Sequence, residues 1–268
     1  MIYLDPTNDY AFRRLFGTES QKDVLLSFLN CVLELEPGHL ITEVTLLPVS
    51  QLPHLIGLKE SILDVQCRDE RGITYIVEMQ VAYKTGFEKR VLYYTAKSYV
   101  QQINSGEEYP KLGQIIIVAI LGFTMFQTPH YISNHLILDR KTQEHKLKDL
   151  QFCFIELPKF TKTEAELHSL EEKWIYLLKN AASFTSIPSS WHDPVLEKAL
   201  HCLEKFAWTR AELDLFDRAG IYRQDRRGEL EFSYSQGLKS GIEEGKIKGI
   251  EEGKIKGIEE GKIKGKIE

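Results

Sequence analysis

Ile62-Leu-Asp-Val-Gln-Cys-Arg-Asp-Glu-Arg-Gly-Ile-Thr-Tyr-Ile-Val-Glu-Met-Gln-Val81 is the stretch on which the fold turns. Two runs of alternating character flank Glu70-Arg71-Gly72. A three-residue hairpin loop prefers a left-handed residue in its last position, and Gly72 supplies it. Asp69 then pairs with Ile73, which sets Asp64 opposite Glu78 and Ile62 opposite Gln80. Alternation predicts an apolar face of Leu63, Val65 and Cys67 with Val77, Met79 and Val81, turned to the core. The other face carries Asp64 and Gln66 with Glu78 and Gln80.

Two carboxylates opposed on neighbouring strands repel, and apolar surroundings screen that repulsion poorly. A divalent cation removes the conflict. Mg²⁺ is typically held by one or two carboxylates, with waters and substrate phosphates completing its shell. The same ion polarises a phosphate and acidifies a bound water. Asp64 and Glu78, with Gln80 beside them, therefore have the geometry of a metal-dependent phosphodiesterase. The plain alternative is a solvated polar face on an edge hairpin, and a one-residue register slip would undo the pairing.

Outward from the hairpin, Asp9 to Phe16 and Gln21 to Leu33 read as helices, and Ile41 to Val49 as a strand. Gly86 to Ser105 reads as a helix closed by Gly106. On that helix Arg90, Tyr94, Lys97 and Gln101 share one face, and Leu92, Ala96, Tyr99 and Ile103 form an apolar face opposite. Arg90 suits bidentate phosphate binding, and Lys97 a point charge. Lys59, just upstream of Asp64, is a further cation. Gln114 to Leu121 is a continuous apolar run, as in a strand buried on both faces. His135 to Asp139 and Gln151 to Leu157 read as strands. Beyond Phe160 the signals become helical: Lys162 to Ala182 with a Thr163/Glu166 capping box, Val195 to Phe206, and Thr209 to Ala219 ended by Gly220.

The chain ends in a repeat. Gly-Ile-Glu-Glu-Gly-Lys-Ile-Lys runs three times from Gly241, and glycine recurs every fourth residue from Gly237 to Gly265. As a helix this segment gains three Glu-to-Lys pairs four residues apart, worth roughly 1 to 1.5 kcal/mol. Its glycines cost roughly 8 kcal/mol relative to alanine. Alone in water the glycines win, so the expectation is a mostly unfolded, solvated tail, with helix formation on a partner as the alternative. The expected organisation is residues 1–160 as an α/β core, 161–236 as a helical module and 237–268 as the tail.

With 268 residues, 43% of them hydrophobic, the chain has ample material for a core. A net charge of -5 excludes a uniformly basic nucleic-acid clamp but not a local basic patch. Cys31, Cys67, Cys153 and Cys202 lie far apart, which excludes a zinc ribbon by spacing and disfavours a disulfide scaffold. The eight histidines form no zinc-binding pattern. No apolar run is long enough to span a bilayer, and the first residues lack a signal-peptide pattern. The expectation is a soluble cytoplasmic protein with no membrane partner.

Asp5-Pro-Thr-Asn-Asp-Tyr-Ala-Phe-Arg-Arg-Leu-Phe-Gly17 resembles the opening motif of the Rpn family of recombination-promoting nucleases, also described as PD-(D/E)XK family transposases. Ser61-Ile-Leu-Asp-Val65 and Ile76-Val-Glu-Met-Gln80 resemble its central motifs, and Arg90-Val-Leu-Tyr-Tyr94 the segment that follows. The resemblance implies an α/β, restriction-endonuclease-like mixed sheet flanked by helices, with the site at one end. It implies Mg²⁺ or Mn²⁺ on Asp64 and Glu78, with Asp9 as an outer acidic residue, although Asn8 and Asp9 also suit a helix start. Gln80 falls where the superfamily has lysine, and glutamine is neutral and can only hydrogen-bond.

The reading that follows is a Mg²⁺-dependent DNA endonuclease, tied to recombination. Gln80 would position water, Arg90 and Lys97 would hold phosphate, and Tyr94 would orient the site. A homodimer would cut both strands, and the tail would bind a protein partner. The alternative is a weak or inactive DNA-binding or regulatory module whose tail recruits that partner. A transposase would also need a domain that reads transposon ends, and the sequence offers no recognisable one.

Overall fold

The computed structural model describes residues 3–35, 38–51, 61–188 and 191–264. It divides into two units, Met1–Phe216 and Asp217–Glu268.

The first unit is built on a six-stranded sheet. Its strands are β1 (Val44–Leu46), β4 (Val65–Asp69), β5 (Thr74–Gln80), β6 (Ile115–Leu121), β8 (Leu147–Glu156) and β7 (Ile132–Ile137), in that spatial order. The β5–β6 and β6–β8 pairs are parallel and the others antiparallel. A small second sheet pairs β2 (Ser50–Gln51) with β3 (Ser61–Ile62). The mixed sheet flanked by helices agrees with the expected α/β class.

Parallel central strands need cover on both faces, and both are covered. One face packs on α1 (Asp9–Phe16), α2 (Lys22–Val32), α4 (Leu170–Asn180) and α5 (Pro194–Leu203). Phe12, Phe16, Phe28 and Trp174 meet there with Val65, Val77 and Val118, all buried. The other face packs on α3 (Phe87–Val100), where Phe87 and Val91 join Ile76, Ile117 and Ala119. The β6 run Ile115–Leu121 is buried at every position, as its unbroken apolar sequence predicts.

The helix starts follow local chemistry. Asn8 caps α1, its side-chain oxygen accepting from the Tyr10 and Ala11 N–H groups. Ser169 and Glu172 form the capping box of α4, while the Thr163/Glu166 box closes a short 3₁₀ turn ahead of it. The long helix expected from Lys162 is therefore two pieces. Leu167 is extended between them, because a second cap restarts the helix.

Two helix expectations are corrected. The apolar face assigned to Leu92 and Ala96 is not the buried one: α3 buries Phe87, Val91, Thr95 and Ser98, and Leu92 is 56% exposed. The packed stripe lies one residue from the Arg90–Tyr94 line, because α3 rests its edge on the sheet near the polar residues. The second correction concerns the C-terminus. Helix α6 runs Arg210–Lys264, through Gly220 and through the repeats. The positive-φ glycines among the described residues are Gly38, Gly72, Gly86 and Gly106, so none in α6 leaves right-handed geometry. A helix-interior glycine is an entropic penalty, not a steric bar.

That penalty can be removed. A Cβ built on Gly245, Gly249 or Gly253 meets nothing within 4 Å. The triple Gly245→Ala, Gly249→Ala, Gly253→Ala variant should therefore gain about 1 kcal/mol of helix propensity per site. Circular dichroism at 222 nm should show helical signal persisting to higher temperature. An unchanged helical melt would contradict a helical repeat.

Candidate active site

The hairpin has the register read from its sequence. Val65 pairs with Val77 and Arg68 with Thr74, and the turn closes through Asp69 N–H to the Ile73 carbonyl at 3.0 Å with Gly72 at φ 83°. The strand is nevertheless broken at Leu63–Asp64. Leu63 donates its N–H to the Val49 carbonyl at 2.9 Å, so the chain leaves the small sheet there and joins the large one at Val65. Leu63 consequently joins the α3-side core with Ile76, Phe87 and Val91, not the face of Val65 and Cys67 as alternation predicts.

The break aims Asp64 at β5. Its backbone N–H donates to Glu78 Oε1 at 3.3 Å, and its Oδ2 accepts the Met79 N–H at 2.9 Å. Glu78 is thus tied to the Asp64 backbone, and Asp64 to the backbone of Met79, the residue after Glu78. The Asp64 side chain is only 11% exposed. Burial, and then the nearby Asp9 charge, push the Asp64 carboxyl above its usual range, against the Met79 N–H and Arg13. Burial pushes Glu78 well above the usual carboxylate range, with the Asp64 charge adding to it and Arg90 and Arg13 opposing. A solvated edge face, the plain alternative, does not describe this pair.

Three elements bring positive charge and polar groups to it. From α1, Arg13 Nη2 reaches Asp64 Oδ1 at 3.1 Å. Sequence reasoning missed Arg13, although it lies four residues after Asp9 on one helix face, a spacing that makes them neighbours. From α3, Arg90 donates to Gln80 Oε1, and its guanidinium carbon stands 5.3 Å over the Phe87 ring and 6.0 Å over the Tyr94 ring. From β5, Gln80 Nε2 donates to the Ala82 carbonyl at 2.7 Å. Tyr94 is half-buried beside the pair: burial raises its phenol pKa, Arg90 opposes this, and Glu78 and Asp64 add to it.

The remaining expected residues are placed as follows. Asp9 is exposed in the first turn of α1, close enough for its charge to act on Asp64. Lys97 Nζ lies 5.9 Å over the Tyr93 ring. Lys59 lies outside the described residues. Among the described residues no three His, Cys, Asp or Glu side chains gather as a ready metal cage.

An α/β sheet that sets an aspartate beside a Glu-x-Gln strand, with arginines from two flanking helices, has the layout of a PD-(D/E)XK-type core. The family model described as "PD-(D/E)XK nuclease family transposase" matches residues 6–232, and the chain belongs to this family. No curated protein and no solved structure matches the chain.

The pair carries a stability consequence. A carboxyl whose folded pKa is raised holds a proton that the unfolded chain releases. Its stabilising share is therefore full below the unfolded pKa, about 4.3, and is lost as pH rises through the folded one. Glu78→Gln keeps an oxygen for the Asp64 N–H and removes the charge. In EDTA it should be more stable than the parent at pH 8, by about 1 kcal/mol on the scale of a like-charge cross-strand pair. The gap should close toward pH 5. A variant less stable than the parent at pH 8 in urea titrations would contradict the buried repulsion.

Proposed function

We propose that the protein is a metal-dependent DNA endonuclease using Mg²⁺ or Mn²⁺, with a role in recombination. The largely desolvated Asp64–Glu78 pair carries this reading. Two carboxylates that repel each other in the apo chain suit a hard divalent cation that completes its shell with water and phosphate. When bound, that ion supplies Lewis acidity and an acidified water. Asp64 and Glu78 hold it, and Asp9 is the outer acidic residue.

The chain's other residues bind and orient the substrate. Gln80 has both ends of its amide engaged, one with Ala82 and one with Arg90. Its role is then to hold Arg90 in position, and Arg90 supplies the positive charge that glutamine lacks. Arg90 clamps a phosphate with Lys97 further along α3, and Arg13 answers from the opposite helix layer. Tyr94 packs beside Arg90 and orients it. Cleavage of both strands would use a homodimer. The exposed isoleucines of α6, such as Ile242, Ile247 and Ile250, offer a protein partner a surface. The proposed location is the cytoplasm.

One observation favours a second reading. The side chain at the usual lysine position is a neutral glutamine whose Nε2 and Oε1 each already have a partner, so it brings no charge to a water. A weakly active or inactive DNA-binding or regulatory module would have the same feature. Calorimetry separates the two, since a module without catalysis need not bind Mn²⁺.

Purified protein should nick supercoiled plasmid with Mg²⁺ and not with EDTA. Asp64→Ala should lower the rate by roughly a hundredfold or more, because metal Lewis acidity supplies several kcal/mol. Undiminished cleavage by Asp64→Ala protein would remove the assignment.

Arg90→Ala should weaken DNA binding on every sequence alike. It should also flatten the dependence of log affinity on log salt by about one unit. An unaltered salt slope would remove Arg90 from the phosphate contact.

A further inference from the structure

A cavity lies at the end of the sheet away from the carboxylate pair. It has a volume of about 550 Å³ and opens where β5 and β6 begin, beside Tyr75 and Ile116, against the end of α2. Tyr75 precedes Glu78 by three residues, about 10 Å along a strand. The cavity is therefore separate from the carboxylate pair, and none of its lining residues belongs to that site.

Its polar lining is built, not incidental. Arg71 is fixed by Asp69 Oδ2, which accepts Nε at 2.9 Å and Nη2 at 2.6 Å. Nη1 donates to the His39 carbonyl at 2.9 Å and Nη2 to the Tyr75 hydroxyl at 3.1 Å. A guanidinium has five N–H groups, so these four bonds leave one for a ligand. His145 contributes a ring nitrogen, Nε2, that is buried and has no hydrogen-bond partner. A buried unpaired polar atom calls for an explanation, and a ligand supplies one. Lys148, a residue whose side chain carries an ammonium, is also in the lining.

The rest of the lining completes one chemistry. Glu34 contributes a carboxylate, an acceptor suited to sugar hydroxyls. Asn134 and Gln151 contribute amides that both donate and accept, as the edge of a base requires. Leu33, Tyr75, Ile116 and Leu136 give apolar walls for a flat ring. The volume is within the range of small-molecule sites, roughly 300–1,000 Å³.

We propose that this cavity binds a nucleoside monophosphate. Its phosphate lies among Arg71, His145 and Lys148, its ribose at Glu34, and its base along Asn134 and Gln151. Binding is independent of metal and of nuclease activity.

The test is calorimetric titration of the full chain, in EDTA, with the 5′-monophosphates of adenosine, guanosine, cytidine and uridine, with adenosine and inorganic phosphate in parallel. At least one monophosphate should bind at least tenfold more tightly than adenosine or phosphate. Lys148→Glu, on an exposed position, should weaken that binding about tenfold, the size of one charge-assisted contact. His145→Phe should weaken it as well. Asp64→Ala should leave it unchanged, which separates this site from the proposed metal centre whatever the plasmid assay shows. The proposal is overturned if no monophosphate binds, if phosphate alone binds as tightly, if Lys148→Glu has no effect, or if Asp64→Ala abolishes binding.

Discussion

Two carboxylates, Asp64 and Glu78, are forced together by the register of one hairpin and largely withdrawn from solvent there. Isolated charges are expensive to bury, and a like-charged neighbour makes the expense larger. The surrounding structure is arranged against it. The strand breaks at Leu63–Asp64, so backbone N–H groups rather than a ladder face the pair. The Met79 N–H and Arg13 steady Asp64, and the Asp64 N–H steadies Glu78. Even so, both pKa values stay raised. Perturbed carboxyls of this kind cluster at functional sites, and no packing role calls for two of them here.

The two-sided sheet is what lets the site be assembled. Because β5 and β6 are parallel and buried on both faces, a helix lies over each face, and α1 and α3 approach the same strand ends from opposite sides. One delivers Arg13, the other Arg90. In open α/β sheets the carboxyl ends of the strands are where ligands gather, and Glu78 and Gln80 are at that end of β5. Two strands away, buried Glu156 closes the end of β8. It accepts the Met125 and Phe126 N–H groups and pairs with Lys159. That pins the segment after β6, whose Phe123 packs edge-on against Phe87, the ring beneath Arg90.

Much of this was legible because it depends on short-range rules. A period of two and one left-handed glycine fix the hairpin register, hence Asp64 opposite Glu78. An unbroken apolar run identifies β6 as doubly covered, and Asn8 identifies the start of α1. What was not legible depends on the third dimension. Nothing local marks the change of sheet at Leu63, because the Val49 carbonyl that captures it, just before β2, lies 14 residues earlier in the chain. Arg13 was hidden because a helix shows its own periodicity but not the strand it faces. Leu92 was misplaced because apolar character alone does not tell which neighbouring stripe of a short amphipathic helix is pressed on the sheet.

Gln80 shows why the site must be read as an assembly. A lysine there would place a compact charge directly on β5. Glutamine instead offers a carbonyl to Arg90 and anchors its own amide on Ala82. The charge arrives from α3, seated over Phe87 and Tyr94. A guanidinium matches phosphate with its fork of donors. It can hold a phosphate but cannot take a proton. An ammonium at the same place, with a tunable pKa, could do both. Moving the positive charge from strand to helix therefore separates phosphate binding from proton transfer. In the proposed nuclease the proton of the attacking water would then go to a group other than the Arg90 guanidinium, while Asp64 and Glu78 would be engaged as ligands of the metal.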